Sequence, residues 1–383
     1  MIHVVHIVPG LQTGGAEMML LRLVAASDRG RFRHSVVSLR GEDDVGSRIR
    51  AADVPLHCLG MRPGIPSFSG LLRLHHVIRR ARPNVLQGWM YHGSLAASVV
   101  SLMVKDIPLA VAWNIRLSIG ERSDLRLATR LVIRLLGRWP VRPACIINNS
   151  LDSAQKHHRL GYRVSETVVI SNGFDCERFA PRAEARSWLR RELGLRSDAL
   201  VVVHVGRYHK QKNHLGFVKA AARVRASIPG VHFLLVGPGV DAKNVSLCDA
   251  VAAAGLIGCV SLWGARSDMA EILAGVDVLC NASHVEGFPN VVGEDMACGV
   301  PCVVTDVGDS RWLVGETGVV VQPGDAAALG NGLLKLLLAP QAERSILGEQ
   351  ARQRIVQDFG LDEVVSQYEE LYQRLSNKPA ARV

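Results

Sequence analysis

The sequence predicts an α/β protein made of two doubly wound domains. Three observations carry this reading. The chain has 383 residues, more than one hydrophobic core commonly spans. Short apolar runs alternate with stretches of helical period, the pattern of a parallel sheet covered by helices. The alternation occurs in two series, separated by a polar, proline-containing stretch at 172–196.

The first series places strands at 3–8, 34–39, 85–89, 110–114, 144–148 and 167–171, with helical periods at 16–26 and 71–81. The second places strands at 200–206, 232–237, 260–263, 276–281, 301–305 and 318–321. The expected domains are 1–180 and 181–360. A helix at 361–375 heads a C-terminal segment, 361–383, expected to pack back on the first domain, and the small polar residues from Ser376 onward are expected to fray. Ligands of such sheets sit at the carboxyl ends of the strands, so those ends are where chemistry is sought.

Composition excludes several classes. Hydrophobic residues make up 48% and charged residues 21%, an ordinary globular mix. The eight cysteines form no C-x-x-C pair and read as buried thiols of a reducing compartment. No Cys/His spacing resembles a zinc site, so no metal is expected. The longest apolar run, near 95–104, is about half a membrane span. The first eight residues read as a strand rather than a signal peptide. A cytoplasmic protein follows, with the inner membrane surface as the other expected location.

The net charge of +10 is unevenly spread. Residues 1–180 hold 24 basic and 13 acidic side chains, the remainder 21 and 22. The first half is therefore suited to an anion: nucleic acid, a membrane surface or a phosphorylated substrate. An arginine-rich composition gives the same excess. Aromatic residues at 5% argue against nucleic acid as the partner.

Three motifs carry the chemistry. Gly14-Gly15-Ala16-Glu17 lies between a strand and a helix, where free backbone N–H groups and the helix dipole suit a phosphate; a tight turn without a ligand fits equally well. Arg207 and Lys212, in Gly206-Arg207-Tyr208-His209-Lys210-Gln211-Lys212-Asn213, follow the first strand of the second series and could neutralise a departing diphosphate. Glu286 and Glu294 flank Gly287-Phe288-Pro289-Asn290-Val291-Val292-Gly293. Two separated carboxylates can each accept hydrogen bonds from a sugar diol.

In this order and spacing, these motifs, with Ser171-Asn172-Gly173-Phe174-Asp175 and Ala297-Cys298-Gly299-Val300-Pro301, resemble the retaining family-four glycosyltransferases of GT-B fold. The resemblance covers nearly the whole chain. Trp89-Met90-Tyr91-His92-Gly93 and Trp113-Asn114-Ile115-Arg116 resemble the subset that builds bacterial surface polysaccharides and lipid-linked oligosaccharides. It implies two Rossmann-like domains facing a cleft and transfer of a hexose or N-acetylhexosamine from a nucleotide diphosphate donor, UDP favoured, to a glycan or lipid-linked acceptor. Glu294 would hold the ribose hydroxyls and Glu286 the transferred sugar. Arg207 and Lys212 would stabilise the diphosphate. Gly15, Phe288, Pro289, Asn290 and Val291 would touch the donor, largely through backbone. His92 would lie near the anomeric carbon, with Asn114 and Arg116 in the acceptor vicinity. No cofactor is implied, and the sequence has no D-x-D triplet, so fixed cations would replace a metal. The acceptor would attack the face that the leaving group vacates; Glu286 as a covalent nucleophile is the rival mechanism. The loops at 283–285 and 309–311 would be among those that set the donor sugar, the acceptor and the linkage.

One further pattern stands outside the resemblance. Arg122, Arg126, Arg130, Arg134 and Arg138 recur every four residues and sweep one broad helical face. Leu125, Ala128, Val132, Leu135 and Leu136 are expected on the opposite face, with Pro140 ending the helix. Such a helix could rest on anionic lipid or recruit a lipid diphosphate, or be ordinary surface. Two rivals for the whole chain use the same fold. Epimerases would lack this motif combination, and phosphorylases would need a pyridoxal lysine among only eight lysines. The non-enzymatic alternative is a nucleotide-sugar or anionic-surface binding protein on the same scaffold.

Overall fold

The computed structural model describes residues 1–62, 67–119, 126–140, 142–164 and 166–377. They form two compact units: residues 1–173 with the segment from Leu361 onward, and residues 174–360.

The first unit holds β1 (Ile2–Val8), α1 (Gly15–Ala26), β2 (Phe32–Ser38), α2 (Asp43–Ala51), β3 (Leu56–Cys58), α3 (Phe68–Ala81), β4 (Val85–Trp89), α4 (Met90–Met103), β5 (Ala110–Ile115), α5 (Leu127–Gly137), β6 (Cys145–Asn148), α6 (Leu151–Arg159) and β7 (Thr167–Val169). Its sheet is parallel, in the order β3-β2-β1-β4-β5-β6-β7. The second holds α7 (Ala185–Glu192), β8 (Val201–Val205), α8 (His214–Ser227), β9 (His232–Val236), α9 (Val245–Ala253), β10 (Val260–Leu262), α10 (Met269–Gly275), β11 (Val278–Asn281), α11 (Asn290–Ala297), β12 (Cys302–Thr305), α12 (Ser310–Val314), β13 (Val319–Val321), α13 (Ala326–Leu338) and α14 (Gln341–Phe359). Its parallel sheet runs β10-β9-β8-β11-β12-β13. The last helix, α15 (Leu361–Asn377), belongs to the first unit.

The strands form where the sequence is apolar on both faces. β4 and β9 are buried along their whole length, as a parallel sheet covered by helices requires. β3 is the strand the sequence reading missed. It has three residues, and its His57 and Cys58 are exposed, so no apolar run marks it. The expected strand at 276–281 starts two residues later. Asp277, just before it, still donates its backbone N–H to the Val201 carbonyl at 2.9 Å, while its carboxylate accepts from the Val201 N–H at 2.7 Å and pairs with Arg186 and Arg190.

The boundary between the units falls at 173/174 rather than 180/181. Phe174 and Phe179 are the reason: both are buried in the core of the second unit. Phe174 packs so closely that a Cβ on Gly293 would lie 2.1 Å from its ring.

Helix α15 buries Val364, Val365, Tyr368, Leu371, Tyr372 and Leu375 in the first unit. Its polar contacts are specific. Tyr372 donates to Gln87 Oε1 at 2.7 Å, and Glu369 accepts from Ser27 Oγ and the Asp28 N–H, each at 2.7 Å. The Tyr368 hydroxyl accepts from Asn114 Nδ2 at 2.9 Å and from Arg116 Nη1 at 2.6 Å. A Tyr368→Phe variant is therefore expected to leave two buried donors unmatched and lose about 1–3 kcal/mol of stability. Urea unfolding would register this as a lower midpoint at unchanged slope; an unchanged midpoint would show that water replaces the hydroxyl.

Candidate active site

In both sheets the strand order reverses beside the first strand of the unit, between β1 and β4 and between β8 and β11. Doubly wound sheets open a crevice at the carboxyl ends of the strands flanking such a reversal. The motif residues of the second unit collect there. β8 delivers Gly206 and Arg207, and β11 delivers Ser283 and Glu286.

Several local devices shape this end of the sheet. Gly237, at φ 149°, brings its backbone against Gly206, where a Cβ would lie 2.1 Å from the Gly206 carbonyl oxygen. A 3₁₀ turn at Lys210–Lys212 then reverses the chain, and Asn213, at φ 54°, caps α8 by accepting from the Gly216 N–H at 3.1 Å. The turn sends Lys212 back across Gly206, whose missing side chain leaves room for the lysine stem. The ammonium forms an ion pair with Glu286. The same Glu286 oxygen accepts from Ser283 Oγ at 2.7 Å.

The loop that carries Glu286 is held from two sides. The His284 N–H donates to the Gln211 carbonyl at 2.7 Å, joining it to the lysine turn. Thr305 Oγ1 donates to the Ser283 carbonyl at 2.6 Å, and the Asp309 N–H to the Gly287 carbonyl at 3.0 Å. Gly308, at φ 55°, makes the second contact feasible; a Cβ there would sit 2.5 Å from the carbonyl oxygens of Glu286 and Gly287. Of the loops at 283–285 and 309–311, Ser283 and Asp309 are buried supports, whereas His284 and Arg311 are exposed.

Beyond Glu286 the chain dives inward. Phe288 is buried, stacked on Phe174 with centroids 6.0 Å apart and flanked by Trp312 and Phe359. Its ring anchors the loop, so only its backbone remains for a ligand. Pro289 is buried, Asn290 and Val291 are half-buried, and α11 starts at Asn290. Glu294 is half-buried on that helix. Its neighbour Asp295 is fully buried, and neither carboxyl oxygen has a hydrogen-bond partner among the described residues. Burial pushes its pKa well above the ordinary carboxylate value, which favours the protonated form. Nothing in its sequence neighbourhood announced this.

The positive charge here comes from Arg207, which is exposed, and from Lys210 and Lys212. His204 and His214, with ring centroids 4.7 Å apart, add none. Burial holds them at about 3 and about 4, and His214 Nε2 lies 3.2 Å from the Gly206 carbonyl oxygen.

In the first unit, α1 begins at Gly15, which is exposed, after an extended Gly14. β4 runs into α4 without a loop. The junction is Met90, at φ 55°, a left-handed conformation costly for a branched chain and disfavoured for methionine. This turn sets His92 on the first turn of α4, half-buried. Burial and then the charge of Arg40 lower its pKa, which favours the neutral imidazole.

Two family models match the chain. Residues 13–178 fit the Glycosyltransferase Family 4 model, and residues 199–339 fit Glycosyl transferases group 1. Between them they take in most of the sequence and both units. The chain is a GT-B glycosyltransferase of the family-four type. It is 27% identical over 373 residues to the lipopolysaccharide core biosynthesis glycosyltransferase LpsE of Rhizobium meliloti, covering 96% of this chain and 97% of that one. It is 30% identical over 193 residues to N-acetyl-alpha-D-glucosaminyl L-malate synthase of Bacillus anthracis, and there the match spans only 48% of either chain. The crystal structure of Anabaena Alr3699/HepE in complex with UDP has the same fold, at a TM-score of 0.83, 20% identity, and coverage of 97% of this chain and 100% of that one.

Other expected site residues of the glycosyltransferase have different surroundings. Asn114 and Arg116 lie beneath α15, not on an open surface. Asn114 is fully buried. Arg116, 8% exposed, donates to Tyr368, to Asn114, to the Ser171 carbonyl and to Asn172 Oδ1, and lies over the Trp89 ring. It is a buried cation satisfied by neutral acceptors, and it ties α15 to the 171–172 segment.

The arginine helix differs from its expectation too. Arg122 and Leu125 lie outside the described residues. Helix α5 starts at Leu127 and ends at Gly137, before Pro140. Gly137 packs so tightly that a Cβ would lie 2.3 Å from the Leu160 carbonyl oxygen. Ile133 and Leu136 are buried, but Ala128 and Leu135 are exposed rather than facing the sheet. Arg126, Arg134 and Arg138 are exposed and Arg130 is half-buried. Leu127, Leu131 and Leu135 are 74%, 64% and 46% exposed, so the outer face of α5 carries leucines as well as arginines.

All eight cysteines are free thiols. Among the described residues, no helix is long and apolar enough to cross a membrane.

Proposed function

We propose that this glycosyltransferase is a retaining hexosyl- or N-acetylhexosaminyltransferase that draws on a UDP-linked donor and glycosylates a glycan or lipid-linked acceptor in bacterial cell-surface polysaccharide synthesis. The observation that carries the proposal is the joining of two distant motifs, Gly206–Asn213 and Glu286–Glu294, through the Lys212–Glu286 pair and the His284–Gln211 hydrogen bond. LpsE, similar over nearly its whole length, is named for lipopolysaccharide core synthesis, and a protein of the same fold was crystallised with UDP.

In this reading Arg207 and Lys212 meet the diphosphate, Glu294 the ribose hydroxyls and Glu286 a sugar hydroxyl. Gly15 and the backbone from Phe288 to Val291 make further donor contacts, and His92 serves the anomeric centre or the acceptor. The bond from the anomeric carbon to the phosphate oxygen breaks as the cations gather charge on the leaving diphosphate. The acceptor oxygen bonds to the same face of that carbon, and its proton passes to the departing phosphate. Glu286 already accepts from Lys212 and Ser283, which favours hydrogen bonding to substrate over covalent attack. Fixed cations in this role make a metal unnecessary. Calorimetric titration with UDP- and GDP-linked hexoses and N-acetylhexosamines, with chelator present, tests the donor site. Selective uptake of one UDP-linked donor is expected; binding that appears only when a divalent metal is added would overturn the metal-free reading.

A peripheral membrane position is part of the proposal. The exposed leucines and arginines of α5 suit an interface where apolar groups enter the headgroup layer and cations meet anionic lipid. Replacing Arg126, Arg134 and Arg138 by glutamine should reduce sedimentation with anionic vesicles at low salt several-fold, since each cation near such a surface contributes about 1 kcal/mol. Unchanged sedimentation would leave α5 an ordinary surface helix.

A further inference from the structure

Helices α3, α4 and α5 of the first unit enclose an open cavity of about 700 Å³ on one side of the sheet. That volume lies within the roughly 300–1,000 Å³ typical of small-molecule sites. Its walls are mostly apolar, with Leu71 from α3, Leu95 and Val99 from α4, and Leu131 and Val132 from α5. Among the described residues, the charged or titratable groups on its lining are Arg40, Arg62 and His92, with no carboxylate. At its edge the apolar surface continues outward: Phe68 is 76% exposed and Leu131 64%.

A cavity that stays apolar while opening to solvent is costly unless something fills it. Its concavity suits a chain-like molecule better than a flat protein face, and the charge on its described lining is of one sign. We propose that it holds the aliphatic tail of a phosphate-bearing lipid, with the phosphate at Arg40 and Arg62. The inference rests on the transferase reading for its purpose: such a lipid would be the acceptor, and its head would lie beside His92, which shares the cavity wall. The leucine row of α5 provides the way in, because Leu131 belongs both to the wall and to the exposed row.

Titration of the full chain with dodecyl phosphate, below its micellar concentration, tests this directly. Butyl phosphate serves as the short-chain probe and dodecyltrimethylammonium as the cationic probe of equal length. Dodecyl phosphate should bind at least about tenfold more tightly than either, because burial of the tail and the arginine contacts both favour it. Ala96→Trp fills the cavity, and Leu131→Gln makes its entrance polar without touching the core; each should weaken dodecyl phosphate binding by about tenfold. If Ala96→Trp unfolds, seen as a collapsed thermal transition, Leu131→Gln alone decides. Equal binding of the two phosphates, equal binding of the cationic probe, or an unaffected Leu131→Gln variant would overturn the proposal. A separate UDP titration of the wild type keeps the two readings apart. Lost UDP binding would count against the transferase while leaving the lipid cavity standing, and UDP binding without chain-length selectivity would do the reverse.

Discussion

A Lys212→Ala variant is expected to lose roughly 10²–10³-fold in transfer rate, the range seen when one fixed donor is removed from a site of developing negative charge. Lys212 is the side chain that joins the two motifs. Its stem crosses Gly206 at the end of β8, and its ammonium pairs with Glu286, whose side chain is 11% exposed. Removing the ammonium subtracts a cation from the proposed diphosphate position and strips Glu286 of its ion-pair partner, leaving Ser283 Oγ as the partner named above. The fall should appear mainly in kcat, because charge on the leaving group peaks in the transition state. Lys212→Arg keeps the charge but replaces a point cation by a planar fork, so partial activity is expected. Steady-state kinetics on both variants would settle the matter; an alanine variant within a factor of a few of wild type would remove Lys212 from the chemistry.

A Glu294→Ala variant is expected to weaken binding of UDP by roughly 10–100-fold, the loss that follows when a charged hydrogen-bond partner worth about 1.5–3 kcal/mol is deleted. Glu294 is half-buried on α11, the helix that follows the Phe288 anchor. If it holds the ribose hydroxyls, wild type should prefer UDP to its 2′,3′-dideoxy analogue and the variant should treat the two alike. Calorimetry with both ligands on both proteins forms a closed cycle, which isolates that contact from any general damage to the helix. Equal preference in wild type and variant would show that Glu294 supports α11 rather than the nucleotide.

Much of the fold was legible because parallel strands buried on both faces read as apolar runs, and β4 and β9 are of that kind. The donor motifs were legible as well, since their glycines, lysine and glutamates occur as short contiguous strings. Contacts between distant strings were not. The Lys212–Glu286 pair spans 74 positions, and no local pattern states that the turn after β8 faces the loop after β11. The burial of Asn114 and Arg116 was equally hidden. Polar residues at a strand end look available in sequence, but α15, more than 240 residues away, covers them. The rotation of α5 was misjudged because period alone does not say which arc of a partly apolar helix meets the sheet. Ile133 and Leu136 meet it, and the leucine row is left outside.

By itself, then, the sequence determined the α/β class, the two series of strands and the strings that mark a family-four glycosyltransferase, because these depend on local periodicity and on residues adjacent in the chain. Tertiary structure alone decided the strand orders with their two reversals, the contacts that hold α15 on the first unit, the unit boundary at 173/174, and the apolar cavity among α3, α4 and α5. Each of these is set by burial shared between segments far apart in the chain, a quantity that no single segment carries.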